Sequence, residues 1–283
     1  MTESQQTIGF IGGGNMAHAI IGGLLNANHR GDCLYVSDPD ASSLSRISAL
    51  HAAITTGADN AKTAENADIL VLAVKPQLLE TVMRPLAGAT RPANQLVISI
   101  AAGITLDTLC DLLAPTRAIV RIMPNQPALV GAGMSVLAAT PETTQQQREL
   151  AGYVAGATGE AAWIDDERLM DAVTAVSGSG PAYFYLLMEL MESAARDMGL
   201  PADLARVLTR QTAYGAGRVA AESELELAAL RESVTSKGGT TAAALASFDD
   251  DGIRAIVERA LRAARDRSVE LGAIAGEARN KSE

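Results

Sequence analysis

A glycine-rich turn near the start of the chain restricts the possible folds more than any other feature. The sequence reads GFIGGGNMA from Gly9 to Ala17, after an apolar stretch and before apolar residues at helical spacing. The turn contains the pattern GxGxxA, beginning at Gly12, between a predicted strand and a predicted helix. Such glycines allow a tight turn and let a pyrophosphate approach the helix N-terminus. The motif predicts a dinucleotide site; a glycine turn without a ligand is the alternative.

Short apolar runs alternate with helical patterns through the first part of the chain, and only helical patterns follow. Strands are predicted over 7–11, 33–37, 53–55, 68–74, 95–101, 118–123, 134–139 and 160–164, and helices over 15–27, 41–50, 61–67 and 143–156. Later helices are predicted over 168–176, 181–198, 202–222, 225–234, 241–247 and 252–272, with a frayed polar tail over 276–283. We therefore predict an α/β protein. A Rossmann-like, mostly parallel sheet occupies residues 1–164, and an all-α domain occupies residues 165–283.

Composition argues against several classes of protein. The 283 residues hold 23 Lys and Arg against 33 Asp and Glu, and this acidic balance disfavours nucleic-acid binding. No apolar run approaches the roughly 20 residues of a membrane span. The two cysteines and the polar start over 1–6 do not suggest a secreted disulfide scaffold, so we expect a cytoplasmic protein. The three histidines lack metal-ligand spacing, so no metal site is predicted.

Residues that follow the predicted strands are the candidates for cofactor binding, because ligands of such sheets lie beyond the carboxyl ends of the strands. After the second strand, Asp38 favours the ribose of NAD, whereas the neighbouring Ser37 suits the 2′-phosphate of NADP. The local sequence leaves this choice open. Lys75 follows the fourth strand and is a candidate for phosphate, ribose or nicotinamide contacts, or else a solvated turn lysine.

Two further stretches complete this set of candidates. The small residues 101–103 follow the fifth strand and leave room for a flat ring, and Asn125, after the sixth, is a candidate hydrogen-bond donor to ring or substrate. In the helical half, 176–183 predicts a break before a long helix. The segment 236–241 predicts a helix start whose unpaired N–H groups suit a small carboxylate, or simply a well-capped helix.

Five motifs together resemble the pyrroline-5-carboxylate reductase family. They are GFIGGGNMA, AVKPQ at 73–77, RIMPNQPA at 121–128, VSGSGPAYFY at 176–185 and VTSKGGTTAAAL at 234–245. The resemblance covers nearly the whole chain. It implies reduction of 1-pyrroline-5-carboxylate, a small imino acid, to L-proline by NADP(H) or NAD(H). It also implies a Rossmann domain joined to a helical domain that forms an interlocked homodimer. Some members stack five such dimers into decamers.

The resemblance also implies roles for individual residues. Pyrophosphate would be bound by Gly12, Gly13, Gly14, Asn15 and Met16, and the adenosine ribose by Ser37, Asp38 and Asn60. The nicotinamide side would be lined by Val74, Lys75, Pro76, Ala101, Ala102 and Gly103. The substrate would be held by Ser236, Gly238, Gly239, Thr240 and Thr241, across the dimer interface, with the Thr241 hydroxyl as the catalytic group at the ring nitrogen.

Two positions depart from the family pattern, and two other functions compete with this one. Lys237 stands where many members have Pro, and Asp38 stands where some have a residue that suits a 2′-phosphate. A β-hydroxyacid-type dehydrogenase would need a catalytic lysine on a helix of the second domain, where only Lys237 and Lys281 occur. A nucleotide sensor that reduces nothing would not need the Gly-Gly-Thr-Thr segment.

Overall fold

A single eight-stranded sheet forms the centre of the N-terminal part of the protein. The computed structural model describes residues 5–86, 92 and 94–280, with side chains as far as residue 273. The strands are β1 (Ile8–Ile11), β2 (Leu34–Ser37), β3 (Thr55–Gly57), β4 (Ile69–Leu72), β5 (Leu96–Ser99), β6 (Ile119–Met123), β7 (Gly133–Ala139) and β8 (Gly159–Trp163). Their order is β3-β2-β1-β4-β5-β6-β7-β8. The pairing of β6 with β7 is antiparallel and the other pairings are parallel, which confirms the predicted sheet.

Twelve α-helices connect or follow these strands in the described part of the chain. They are α1 (Asn15–Asn26), α2 (Ala41–Ser48), α3 (Asn60–Glu65), α4 (Pro76–Met83), α5 (Leu106–Leu113), α6 (Gln145–Gly156), α7 (Met170–Val173), α8 (Gly180–Asp197), α9 (Ala202–Glu222), α10 (Leu227–Ser233), α11 (Thr240–Asp250) and α12 (Ile253–Asn280). Among these helices, none combines the length and the apolar character that a membrane crossing requires.

The central strands β1, β4 and β5 are buried on both faces, as their continuous apolar runs predict. One core cluster includes Phe10 and Val71 and packs with α1 and α6. The other includes Ile11 and Leu70 and packs with α4 and α5. Alternate residues of β1 therefore point into two separate cores, and this fixes the register of the central strand.

The strand order reverses between β1 and β4. The chain passes from β1 to β2 and β3 on one side, and then crosses to β4 on the other side of β1. Loops that leave neighbouring strands in opposite directions open a crevice at their carboxyl ends, which is where open α/β sheets bind ligands. The predicted glycine turn follows β1 and lies at this point.

The contacts divide the chain into two compact units. The first contains Met1–Ser179 together with Ala264–Glu283, and the second contains Gly180–Ala263. The C-terminal part of α12 therefore belongs to the sheet-containing unit, where Ser268 Oγ donates a 2.6 Å hydrogen bond to Asp171. The domain boundary after residue 164 stays a prediction from the sequence.

The second unit has very few buried residues. Within 180–263 only Gly180, Ala205 and Thr209 are buried, although α8 and α9 pack against each other. Large apolar side chains that are exposed in the single chain include Phe184, Leu190, Val207, Tyr214 and Phe248. Exposed apolar surface of this extent marks an interaction surface.

Several predicted elements differ from those observed. No helix is predicted from the sequence for α4 or α5, although α4 starts at Pro76, directly after the loop that follows β4. Pro is favoured at this first position, because its missing N–H has no intrahelical partner there. At the C-terminus, a frayed tail from residue 276 is wrong as far as Asn280, because α12 continues to that residue.

The expected break before the long helix is found at Ser179, but it is shorter than the predicted stretch 176–183. Thr174–Gly178 form a π-helix, and α8 begins two residues later. Hydroxyl groups that would compete with helical bonds instead donate back to preceding carbonyls: Thr174 to Met170 at 2.9 Å and Ser177 to Val173 at 3.1 Å. A Cβ at Gly178 would lie 2.6 Å from Met123 Cε, the end of a flexible side chain.

A buried ion pair joins three elements of the first unit. Arg121 on β6 donates to Glu167 Oε1 at 2.7 Å, and the Leu106 N–H at the start of α5 donates to the same oxygen at 2.8 Å. The side chain of Arg121 is 6% exposed and that of Glu167 is 23% exposed. Removing one partner of such a pair leaves an uncompensated buried charge.

We expect Glu167→Gln to lower the free energy of unfolding by about 3 kcal/mol, because Arg121 loses its counter-charge. The control is Glu80→Gln, which removes a surface partner of Arg84 and should cost under about 1 kcal/mol. Urea unfolding at one protein concentration measures both. Equal effects of the two substitutions would contradict the structural role of the Arg121 pair.

A buried histidine lies between α1 and α6. His29 is 3% exposed, and its Nδ1 lies 3.1 Å from the Tyr153 hydroxyl. Desolvation lowers the pKa of His29 below the ordinary 6.5, against a smaller raising effect of the Gln6 main chain. The folded state therefore favours the neutral ring.

Below about pH 6.5 the unfolded chain takes up a proton that folded His29 does not, so stability should fall as the pH decreases toward the folded-state pKa. The slope from this group is at most about 1.4 kcal/mol per pH unit. His29→Gln should reduce the loss of stability between pH 7.5 and 5.5, whereas His51→Gln, at an exposed histidine, should not. Unfolding curves at pH 7.5 and pH 5.5 measure this loss. If His29→Gln lost as much stability between the two pH values as the wild type, His29 would not contribute to the pH dependence.

Candidate functional site

The predicted cofactor residues gather at one edge of the sheet. They lie at or just after the carboxyl ends of β1, β2, β3, β4 and β5, which are neighbours in the sheet and run in the same direction. The set comprises residues 12–16, Ser37, Asp38, Asn60, residues 74–76 and residues 101–103. All of them belong to the first unit.

Gly12 is required by the close packing of two loops at the crevice. Its φ is +102°, and a Cβ there would lie 2.7 Å from the main-chain oxygen of Ala73, just after β4. The Gly12 N–H donates to the Ser37 carbonyl at 2.7 Å, which ties the turn to β2 as well. No side chain fits this position without displacing main chain.

Gly14 leaves open space over the start of α1. It is the N-cap residue of that helix, no side chain caps the helix there, and a Cβ at Gly14 would meet nothing within 4 Å. The N–H groups of the first turn therefore have no side-chain partner at the positive end of the helix dipole. This geometry fits a pyrophosphate, because backbone donors and space coincide.

The end of β2 is organised around two carboxylates. Asp38 Oδ2 accepts from the Gly13 N–H at 2.7 Å, and its Oδ1 accepts from the Asp40 N–H at 2.8 Å. Asp40 caps α2, accepting hydrogen bonds from Ser42 and Ser43, and these bonds lower the pKa of Asp40 to about 2. Ser37 is fully buried, so its predicted ribose contact stays a prediction.

Lys75 and the small residues after β5 occupy the other side of the crevice. Lys75 is exposed at the N-cap of α4, where Pro76 opens the helix. Ala101 is buried, whereas Ala102 is exposed and Gly103 has a φ of +76°. Residues 101–103 carry side chains no larger than a methyl group.

Asn60 lines a cavity of about 650 Å³ between α3 and α4. Ala58 and Ala61 lie on one side of it, and Thr81 and Val82 on the other. The cavity is mostly apolar and of a volume that accommodates a nucleobase-sized group. The predicted contact of Asn60 with the adenosine ribose stays a prediction.

In the second unit, the predicted substrate residues form one turn and the first turn of α11. Gly238 has a φ of +70°, and the Gly239 N–H donates to the Ser236 carbonyl at 3.0 Å. Helix α11 begins at Thr240, and no side chain caps it. The alternative of a helix start capped by a side chain is therefore not observed, and the N–H groups in the first turn of α11 have no side-chain partner. Thr241 is half-buried in the same turn.

Comparison with known proteins identifies the family. A family model described as pyrroline-5-carboxylate reductase dimerisation matches residues 167–271, and one described as NADP oxidoreductase, coenzyme F420-dependent, matches residues 7–103. The pyrroline-5-carboxylate reductase of Pseudomonas aeruginosa is 47% identical, over 97% of this chain and 100% of its own. This chain belongs to the pyrroline-5-carboxylate reductase family.

Solved structures of the family have the same fold. The pyrroline-5-carboxylate reductase of Coxiella burnetii superimposes with a TM-score of 0.89 at 38% identity, covering 94% of this chain and 98% of that one. The Plasmodium falciparum pyrroline carboxylate reductase with NADP bound gives 0.82 at 28% identity, covering 95% and 99%. The reductase fold therefore extends over both units of the chain.

Two polar side chains, Asn125 and Arg46, form hydrogen bonds that the sequence did not predict. Asn125 accepts from the Met134 N–H at 2.9 Å and donates to the Ser177 carbonyl at 3.1 Å. Its amide thus holds the π-helix to β7, and the predicted contact with ring or substrate stays a prediction. Arg46 lies beside Asn15 but is not a sequence-based candidate, because it stands within α2 and away from every strand end. Among the described residues, no cluster of three or more potential metal ligands forms.

The two glycines of the turn give a matched pair of substitutions. We expect Gly12→Ala to lower the thermal unfolding temperature and to abolish NADPH binding, because its Cβ clashes with the Ala73 main chain. Gly14→Ala should leave the unfolding temperature nearly unchanged, since its φ of −67° suits alanine and its Cβ meets open space. Its affinity for NADPH, measured by fluorescence titration, should nevertheless fall about tenfold or more through contact with the ligand. Unimpaired binding by Gly14→Ala would remove this turn from the cofactor site.

Proposed function

We propose that this protein reduces 1-pyrroline-5-carboxylate to L-proline by hydride transfer from NADPH or NADH, the last step of proline biosynthesis. The observation that carries the proposal is the uncapped α11 N-terminus after Gly238 and Gly239, in a chain that matches the reductase family over 97% of its length. The open glycine turn after β1 supplies the second requirement, a place for a dinucleotide.

The residues at the sheet edge fit the cofactor. The α1 N-terminus after Gly14 would hold the pyrophosphate, and the cavity at Asn60 would take the adenosine side. Val74, Lys75 and Pro76, with the small residues 101–103, would line the nicotinamide. Bound NADPH or NADH supplies the hydride, so the protein needs no strongly acidic or basic catalytic side chain of its own.

The loop before α11 would bind the substrate. The Thr240 N–H would donate to the carboxylate, with the helix dipole favouring its negative charge. The neighbouring Gly239 N–H donates to the Ser236 carbonyl and would shape the loop. The Thr241 hydroxyl, in the first turn of the same helix, would hydrogen-bond the ring nitrogen. A hydroxyl with a pKa far above 7 is a poor free acid, so Thr241 orients the imine or relays a proton to it. Lys237 adds a positive charge next to this loop.

We propose that the protein forms at least a homodimer. We also propose that it acts in the cytoplasm. The dimerisation model matches 167–271, and the second unit exposes most of its large apolar side chains. Covering these side chains with a second copy would provide the core that the unit lacks. Light scattering coupled to size exclusion should give at least twice the 29.3 kDa chain mass, and a tenfold mass would indicate five dimers.

The direct test of the function is the oxidation of NADPH or NADH at 340 nm with 1-pyrroline-5-carboxylate. Folded protein should consume one coenzyme for each proline formed. Binding of the coenzyme without oxidation of either form would instead favour a nucleotide sensor.

The role of Thr241 is tested by two substitutions. We expect Thr241→Ala to lower kcat/KM about tenfold or more, because a buried hydrogen bond to the substrate is lost. Thr241→Ser keeps the hydroxyl and should recover most of the activity. Steady-state kinetics at fixed coenzyme measure both; wild-type kinetics in Thr241→Ala would remove the hydroxyl from the mechanism.

A further inference from the structure

Three charged side chains, Asp38, Asp40 and Arg46, lie at the corner between the turn after β1 and the turn after β2. They differ in how many hydrogen-bond partners they have. Asp38 and Asp40 accept hydrogen bonds from main-chain N–H groups, and Asp40 also accepts from two serine hydroxyls. Arg46 is exposed, and within the described part of the chain it forms no ion pair. The cation of this corner is therefore available for a ligand, and the two acids already have partners.

Arg46 is anchored beside the pyrophosphate turn. Its Nη1 donates to Asn15 Oδ1 at 2.9 Å, and its Nη2 lies 3.4 Å from Ser43 Oγ. Asn15 is the first residue of α1 and follows Gly14 directly. Both acceptors are neutral, and the guanidinium lies at the positive end of the α1 dipole, where a cation is disfavoured. An anion at this corner would compensate both the helix end and the guanidinium.

Asp38 connects the two turns through hydrogen bonds to both of them. An acid that selects NAD places its carboxylate on the ribose hydroxyls. In this chain the 2.7 Å and 2.8 Å bonds from Gly13 and Asp40 direct both oxygens of Asp38 to main-chain donors. The same bonds reduce the repulsion that a free carboxylate would exert on a phosphate, because hydrogen-bond donors surround it.

We infer that Arg46 is the residue that selects NADPH over NADH, by pairing with the 2′-phosphate of the adenosine ribose. The inference rests on the proposed function, which supplies the class of coenzyme. A guanidinium presents a planar set of donors that matches phosphate oxygens, and its side chain here is already directed toward the α1 turn. Asp38 then shapes the turn and does not choose the coenzyme.

The test compares two nucleotides that differ only in the 2′-phosphate and need no turnover. Full-length protein is titrated calorimetrically with adenosine 2′,5′-bisphosphate and with adenosine 5′-monophosphate. Wild type should bind the bisphosphate about tenfold tighter or more, and Arg46→Gln should lose this preference while its affinity for the monophosphate stays within about twofold. Arg46→Lys, which keeps the charge, should retain part of the preference.

The matched control is Arg30→Gln, which removes the same charge from an exposed arginine before the amino end of β2. It should leave both affinities unchanged. A preference that persists in Arg46→Gln, or an equal loss for both nucleotides, would overturn the inference. So would tighter binding of the monophosphate by wild type that Asp38→Asn abolishes, since Asp38 would then hold the ribose.

The two proposals fail separately in these experiments. Turnover of 1-pyrroline-5-carboxylate with an Arg46-independent nucleotide preference would leave the reductase function intact and refute only the role of Arg46. An Arg46-dependent preference without turnover would leave the nucleotide assignment standing and refute the reductase function.

Discussion

The close approach of Gly12 to the Ala73 carbonyl determines the arrangement of the cofactor edge. Because this contact leaves no room for a Cβ, the loop after β1 and the loop after β4 can lie side by side at the point where the strand order reverses. The bond from the Gly12 N–H to Ser37 brings the end of β2 to the same place. These contacts fix the relative positions of the α1 N-terminus, of Asp38 and of the turn that contains Lys75.

An acidic chain that binds anions must concentrate positive potential locally. The formal charge of −10 opposes both a dinucleotide and a carboxylate substrate at long range. At short range the structure offers uncapped helix N-termini at Gly14 and Gly239, and it surrounds the carboxylates of Asp38 and Asp40 with donors. Field from oriented N–H groups next to a ligand outweighs distant, solvent-screened charges, since screening grows with separation.

Local sequence predicted the sheet and the position of the glycine turn, because both depend on short-range patterns. Continuous apolar runs identified β4, β5 and β6, and the glycine pattern located the turn before α1. The π-helix at Thr174–Gly178 was beyond such patterns, because serine and threonine favour breaks locally and only their bonds to earlier carbonyls accommodate them in a helix. The sequence did not indicate Arg46 either, because its bond to Asn15 joins residues 31 positions apart. The sequence of α2 contains no pattern that predicts this contact.

The sparse core of the second unit connects stability to function. A unit in which only three of the residues from 180 to 263 are buried cannot offset its ordering entropy alone. The turn before α11 lies in this unit, and its geometry rests on Gly238 at positive φ and on a single main-chain bond from Gly239 to Ser236. A second copy that covers the exposed apolar side chains of this unit, Phe248 of α11 among them, would stabilise the helix that follows the turn. Assembly and formation of the substrate loop are then linked equilibria, so dilution would weaken the substrate site before it affects the sheet.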